Sequence, residues 1–184
     1  KKATNAIRSC ISSTEKKADV TLKKISVLFE QPEFLCTKFS KNKKINGSKI
    51  DKDDIDFLLK EEKKELVYND RNQSIIHIFN YNYIVDGKNF IEEPINVYAD
   101  KFSHEITFIS TKKNYLKNIR QTLNDCDIEV ERFISRTFVL GIQLLKQSEL
   151  QSGAVIIDFG YEKTSLGLFS NLALIHSMTF PVGY

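Results

Sequence analysis

The run Ala154-Val-Ile-Ile157 leads at once into Asp158-Phe-Gly160 and, after a tight turn, into Thr164. A short apolar run rich in β-branched residues reads as a buried strand, and two further strand-like runs follow it, ending in Pro181-Val-Gly183. A strand that delivers an Asp and a Gly into a turn sets a carboxylate and exposed backbone N–H groups at one edge of a sheet. A nucleotide phosphate and its metal can sit there. The same tripeptide occurs at ordinary turns, where Asp bonds its own backbone and Gly takes positive φ. At the level of the tripeptide both readings stand.

With 184 residues, 41% hydrophobic and 28% charged, the chain has room for one substantial core or two small ones and is neither fibrous nor disordered. Its 27 Lys and Arg are nearly cancelled by 24 Asp and Glu, and no basic face is interleaved with aromatics, so no nucleic-acid partner is expected. Cys10, Cys36 and Cys126 are odd in number and widely spaced, without a C-x-x-C pair. They read as small buried hydrophobes in a reducing compartment. No apolar run approaches the roughly 18 residues that span a bilayer, and the first residues are unlike a secretory signal. A soluble, cytoplasmic chain is expected. It opens on Lys1-Lys2 and closes on Tyr184 just after a strand-like run, which is expected of a piece of a longer protein.

Spacings of three and four among Ala3, Ala6, Ile7, Cys10, Ile11 and Thr14 predict an amphipathic helix from Lys1 to Lys17. Two short strands, Ile25–Phe29 and Phe34–Phe39, flank Gln31-Pro32 and read as a hairpin. The lysine-rich stretch from Lys38 to Lys44 leads to Asn46-Gly47, the signature of a solvated hairpin tip. Asp51 caps a helix to about Tyr68, with Asp54 at its third position, an inner face of Ile55, Leu58, Leu59, Leu66 and Val67, and its charges on the outer side. Acidic residues in that first turn suit the helix dipole and do not match the offsets of a calcium loop. Ser74 to Val85 is a long strand ending in the turn Asp86-Gly87, and Phe102 to Ile109 is a second.

In that second strand His104 alternates with Phe102, Ile106 and Phe108, which makes it a hydrogen-bonded core histidine. His77 and His176 also lie in strand-like runs, and no pair of histidines has metal-ligand spacing or a nucleophile nearby. Helices from Lys112 to Asn124 and from Thr137 to Glu149 bracket a strand at Ile128 to Phe133. The order is therefore α/β at the end of the chain, with an α+β insert in the middle.

Several segments taken in order resemble the FtsA family of actin-like cell-division proteins: Tyr83-Ile-Val-Asp-Gly87 followed by Pro94, Asn118-Ile119, the run from Gly153 to Phe169, His176-Ser177, and Phe180-Pro-Val-Gly183. The resemblance implies an actin-like, ribonuclease H-like fold carrying an SHS2-type 1C subdomain. Residues 1–22 and 112–150 would belong to the first lobe, 23–111 to the insert, and 151–184 to the start of the second lobe with its phosphate loop. It further implies that Asp158, Gly160 and Thr164 bind nucleotide phosphate, with ATP and Mg as cofactors of the full-length protein and Asp158 reaching the metal through water.

Tyr161 and Glu162 stand where the family has glycines, Lys163 stands where it has a threonine, and Asn96 and Ala99 stand where it usually has Gly. A Glu at about 4 Å from a phosphate costs on the order of 4 kcal/mol per unit charge. Weak or absent ATPase activity is expected, and these residues alone are not expected to form an enzyme. The implied role is a scaffold that tethers and organises the FtsZ ring at the cytoplasmic face of the inner membrane at the division site. It would recruit later division proteins and self-associate into filaments, with nucleotide as the polymerisation switch and the membrane reached through a C-terminal helix outside these residues. The alternative is the related actin-like assembly protein of a type IV pilus or secretion machine. A sugar-kinase-like enzyme would need a catalytic base beside a cleft, and the insert offers none.

Overall fold

A computed structural model describes residues 2–90 and 92–184, with residues 80, 81 and 90 described by backbone alone. Lys1, where the sequence places the start of the first helix, lies outside the described residues. In chain order the elements are α1 (Lys2–Ala18), β1 (Lys24–Phe29), β2 (Leu35–Lys49), α2 (Lys52–Asn69), β3 (Gln73–Val85), β4 (Lys88–Phe90) and β5 (Tyr98–Lys112). They continue with α3 (Lys113–Asn124), β6 (Glu129–Ser135), α4 (Arg136–Leu144), α5 (Gln147–Ser152), β7 (Ala154–Phe159), β8 (Thr164–Ser170) and β9 (Ala173–Phe180).

Three sheets result among the described residues. β1 pairs in parallel with β6, the middle of the chain forms an antiparallel sheet of order β2-β5-β3-β4, and β7-β8-β9 is an antiparallel meander. The hairpin expected around Gln31-Pro32 does not form. β1 finds its partner in β6, about a hundred residues away along the chain, whereas β2 runs antiparallel to β5. A strand's partner is set by which apolar face it can bury, and Ile25, Val27 and Phe29 bury theirs with Val130 and Phe133 beneath Leu116, Ile119 and Leu123 of α3 and Ile7 of α1. The expected insert, 23–111, thus includes a strand that hydrogen-bonds outside the insert's sheet.

The expected hairpin tip at Asn46-Gly47 is instead a bulge inside β2. Both residues have positive φ, at 54° and 76°, and the register against β5 shifts between Lys44 and Ser48. The extra residues turn Ile45 into the core beside Ile50, Ile55, Leu58 and Phe102. Two local signals hold as read. Asp51 and Asp54 form a reciprocal capping box at the start of α2, with Asp54 N–H donating to Asp51 Oδ1 at 2.8 Å and Asp51 N–H to Asp54 Oδ2 at 2.9 Å. Asp86 and Gly87, at φ 47° and 80°, make the turn between β3 and β4.

Asp86 also accepts the backbone N–H groups of Asp100 and Lys101, closing the far end of the sheet. Beside it the buried Tyr83 phenol lies 3.4 Å from a Glu93 carboxylate oxygen. Burial, and then that carboxylate, push its pKa up to about 12. The helix expected from Thr137 to Glu149 is broken after Leu144, where Leu145 is extended and Lys146 caps α5. Cys126 is buried and Cys36 half-buried, but Cys10 is exposed on α1, and all three are free thiols.

Not all the charges of α2 face outward. Glu62 and His104 are both buried at the interface of α2 with β5, with Oε2 and Nε2 2.7 Å apart. Lys41 to Glu65 at 2.6 Å and Lys43 to Asp54 at 2.6 Å flank that contact, so polar pairs as well as Leu58 and Leu66 fasten the helix to the sheet. The opposite face of the sheet rests on β9, where Thr107 donates through Oγ1 to the Ile175 carbonyl at 3.3 Å.

At that junction Phe34, Ile109, Phe169 and Leu174 form one buried cluster with Phe138 and Ile156 packed against it. Helix α4 lies so close over β8 that a Cβ at Gly141 would stand 2.0 Å from the Phe169 ring. Glu62→Ala leaves the His104 imidazole buried without its partner and is expected to cost about 3 kcal/mol, read as a lower urea midpoint at unchanged slope. Glu62→Gln, which keeps an acceptor, should cost less.

Candidate functional site

The end of β1, the start of α4 and the turn between β7 and β8 converge on one polar cluster. Its centre is Glu30, the residue after β1, only 2% exposed. Ser135 ends β6 and caps α4, accepting the Phe138 N–H at 3.3 Å. Its hydroxyl donates to Glu30 Oε2 at 2.8 Å, and the Thr137 backbone N–H donates to the same oxygen at 3.1 Å. The Ser135 N–H is taken by His77 Nε2 at 2.9 Å, across from β3. An accepting Nε2 requires the neutral ring, and burial lowers the His77 pKa accordingly. Glu30 therefore places its carboxylate at the positive end of the α4 dipole. Burial nonetheless raises its pKa, outweighing the Thr137 N–H, the Ser135 hydroxyl and the charge of Lys163, all of which pull it down.

The turn is tied to this cluster by two further side chains. Lys163 donates through Nζ to the Glu30 backbone carbonyl. Arg136, the first residue of α4, grips Asp158 with Nε to Oδ2 at 2.9 Å and a terminal nitrogen to Oδ1 at 3.3 Å, a two-oxygen contact. Of the three positions expected to meet phosphate, Asp158 is thus engaged by Arg136. Gly160 donates its N–H to the Lys163 carbonyl at 2.9 Å and accepts the Tyr184 N–H at 3.3 Å. Thr164 donates through Oγ1 to the Val182 carbonyl at 2.7 Å. The chain end folds back against the turn so closely that a Cβ at Gly183 would lie 2.1 Å from the Tyr161 carbonyl oxygen.

All three residues lie together at one sheet edge, and each is committed within the chain. Tested against a nucleotide phosphate, the three expected positions do not fit: the Gly160 N–H is spent, the Asp158 carboxylate is paired, the Thr164 hydroxyl is bonded to Val182, and an internal carboxylate already holds the α4 N-terminus. One signal for the missed residues was present, since a Ser just before an apolar helical run is an N-cap signature. Nothing local marked Glu30, which follows an alternating strand as a surface residue would.

A separate hollow lies elsewhere. It is about 490 Å³, between α1, β1 and α3, lined by Ile7, Ile25, Val27, Asn118 and Ile119 among others, with no charged group. Asn118-Ile119 belong to its wall. Among the described residues no group of three or more His, Cys, Asp and Glu is placed to hold a metal ion, and no helix is long and apolar enough to cross a membrane.

Residues 34–110 match the family model of the SHS2 domain inserted in FtsA. Over 177 residues the chain is 22% identical to the cell division protein FtsA of Agrobacterium fabrum, covering 96% of this chain and 40% of that protein. Over 178 residues it is 21% identical to the cell division protein FtsA of Neisseria meningitidis serogroup B, covering 97% and 42%. The chain therefore spans about two fifths of the length of these relatives. Among solved structures, a chain of the PilM-PilN type IV pilus biogenesis complex superposes with a TM-score of 0.60 at 9% identity, covering 97% of this chain and 48% of that one. That likeness carries the fold alone. The fold is the actin-like α/β class with an SHS2 domain, as the motif order implied.

The raised pKa of Glu30 sets a pH signature. The folded state holds this proton more tightly than the unfolded one, so the stability it contributes is present below the ordinary Glu value of 4.5 and is lost as pH rises through the folded value. Glu30→Gln removes the titration. The Tm of the natural protein relative to Glu30→Gln is expected to fall between about pH 4 and about pH 7, and equal differences at the two pH values would show that Glu30 does not titrate in this range.

Proposed function

We propose, on the premise that this chain belongs to the FtsA family of actin-like cell-division proteins, that the protein is a scaffold of the division machinery. In this reading it tethers and organises the FtsZ ring at the cytoplasmic face of the inner membrane. It recruits later division proteins and self-associates, with the SHS2 domain as a contact surface. The observation that carries the proposal is the SHS2 domain of FtsA type at 34–110, set between β1 and α3 of an α/β frame, in a chain aligned along almost all of its length with FtsA proteins. Glu30 Oε2 is bonded to Ser135 and Thr137 and Asp158 to Arg136, and among the described residues these groups offer no free base beside a cleft, which supports a scaffold over a phosphotransfer enzyme. The nucleotide switch that the resemblance implies is left out of this reading, because the turn that would carry it is committed internally.

A second reading rests on the likeness in fold to a chain of the PilM-PilN complex, and makes the protein an assembly factor of a type IV pilus or secretion machine. The sequence likeness to FtsA over 96% of the chain favours division. A fluorescent fusion of the complete protein in dividing cells of its own host separates the two. A midcell ring that vanishes on depletion of FtsZ is the expected result. Foci at a pole or at pilus bases would transfer the protein to the second reading, and an even cytoplasmic signal would remove both.

A further inference from the structure

We infer that the turn between β7 and β8 holds no nucleotide phosphate and serves instead as a clasp that ties the meander to β1 and α4. The inference uses the family reading only to identify this turn as the place where a phosphate would be sought.

Three features of the turn lead to it. A phosphate loop works by presenting free backbone N–H groups that a phosphate can approach closely. Here the Gly160 N–H closes the turn on the Lys163 carbonyl, and residues 182–184 cover the other side, with Tyr184 N–H on the Gly160 carbonyl and the Tyr161 and Tyr184 rings edge to face at 6.4 Å. The tip carries the exposed side chains Tyr161 and Glu162, the second of which would bring a carboxylate against the incoming anion. Third, a helix N-terminus beside such a loop ordinarily attracts an anion, and the N-terminus of α4 already has one in the Glu30 carboxylate, bonded by Thr137 N–H and the Ser135 hydroxyl.

The cations that could answer a phosphate are taken in the same way. Arg136 spans both oxygens of Asp158, and Lys163 reaches back to the carbonyl of Glu30. Glu30 is thus joined to the turn through its backbone and to α4 through its side chain. One residue links three elements, a link for which a bound nucleotide is not needed. Assembly of the protein should accordingly be indifferent to MgATP at this turn.

The test uses the full-length protein, radiolabelled ATP with Mg and equilibrium dialysis, on the natural protein and Asp158→Asn, which keeps the side-chain volume. Either no saturable binding up to about 1 mM ATP, or binding that Asp158→Asn and the exposed-tip variant Glu162→Gly both leave unchanged, is the expected result. Saturable binding that Asp158→Asn weakens by about tenfold or more would overturn the inference. The clasp has its own readout: Lys163→Met should raise amide hydrogen exchange at Gly160 and Thr137 by about tenfold, and unchanged exchange would remove it. Localisation in cells is scored separately, so a failure here leaves the division reading standing and the reverse also holds.

Discussion

The cluster of Phe34, Ile109, Phe169 and Leu174 is the contact on which the arrangement of everything else depends. These four come from the entry to the insert, its central strand and two strands of the meander. Phe29, Phe79, Phe138 and Ile156 pack around them, so all three sheets and α4 share one apolar centre. The Phe29 and Phe34 rings meet edge to face at 4.9 Å across the Gln31-Pro32 break, holding β1 and β2 in different sheets at a fixed distance. Phe169 has no exposed surface and seats under Gly141, where any side chain would collide with it. A packed centre of this kind does not deform continuously, so the position of the SHS2 sheet against the meander is fixed by the same residues that build the core.

Two buried carboxylates show how the chain handles charge inside that frame. Glu62 meets His104 between α2 and β5, and Glu30 meets the N-terminus of α4. Burying a carboxylate is costly unless its oxygens are bonded, and each of these is placed so that its bonds join elements distant in sequence. The first fastens a helix to its sheet and the second fastens β1 to α4. The exposed Arg136 to Asp158 contact adds little to stability by itself, but it occupies the Asp158 carboxylate, the group expected to reach a metal through water.

Much of the local structure was legible along the chain. The capping box of α2 is two aspartates at the right spacing, the turn at Asp86-Gly87 is a dipeptide signature, and His104 among alternating aromatics reads as a core histidine; each of these depends on residues a few positions apart. The bulge at Asn46-Gly47 carries the same signal as a hairpin tip, because a dipeptide that favours positive φ specifies a backbone kink and leaves open whether the strand resumes or reverses beyond it. The break after Leu144 had no Pro or Gly to mark it, and only the close seat of α4 on Phe169 goes with it.

By itself the sequence determined the period of each segment, the caps and turns, and the motif order that marks the actin-like family, since these follow from nearest neighbours and from the face each element must bury. Only the tertiary structure decided that β1 pairs with β6, that Glu62 and Glu30 point inward, and that Arg136 and Lys163 close on the turn around Gly160. Those outcomes rest on contacts between residues some 20 to 130 positions apart. Such contacts are chosen by the shared burial of whole faces and by the need to satisfy every polar group enclosed with them, and no local pattern encodes that choice.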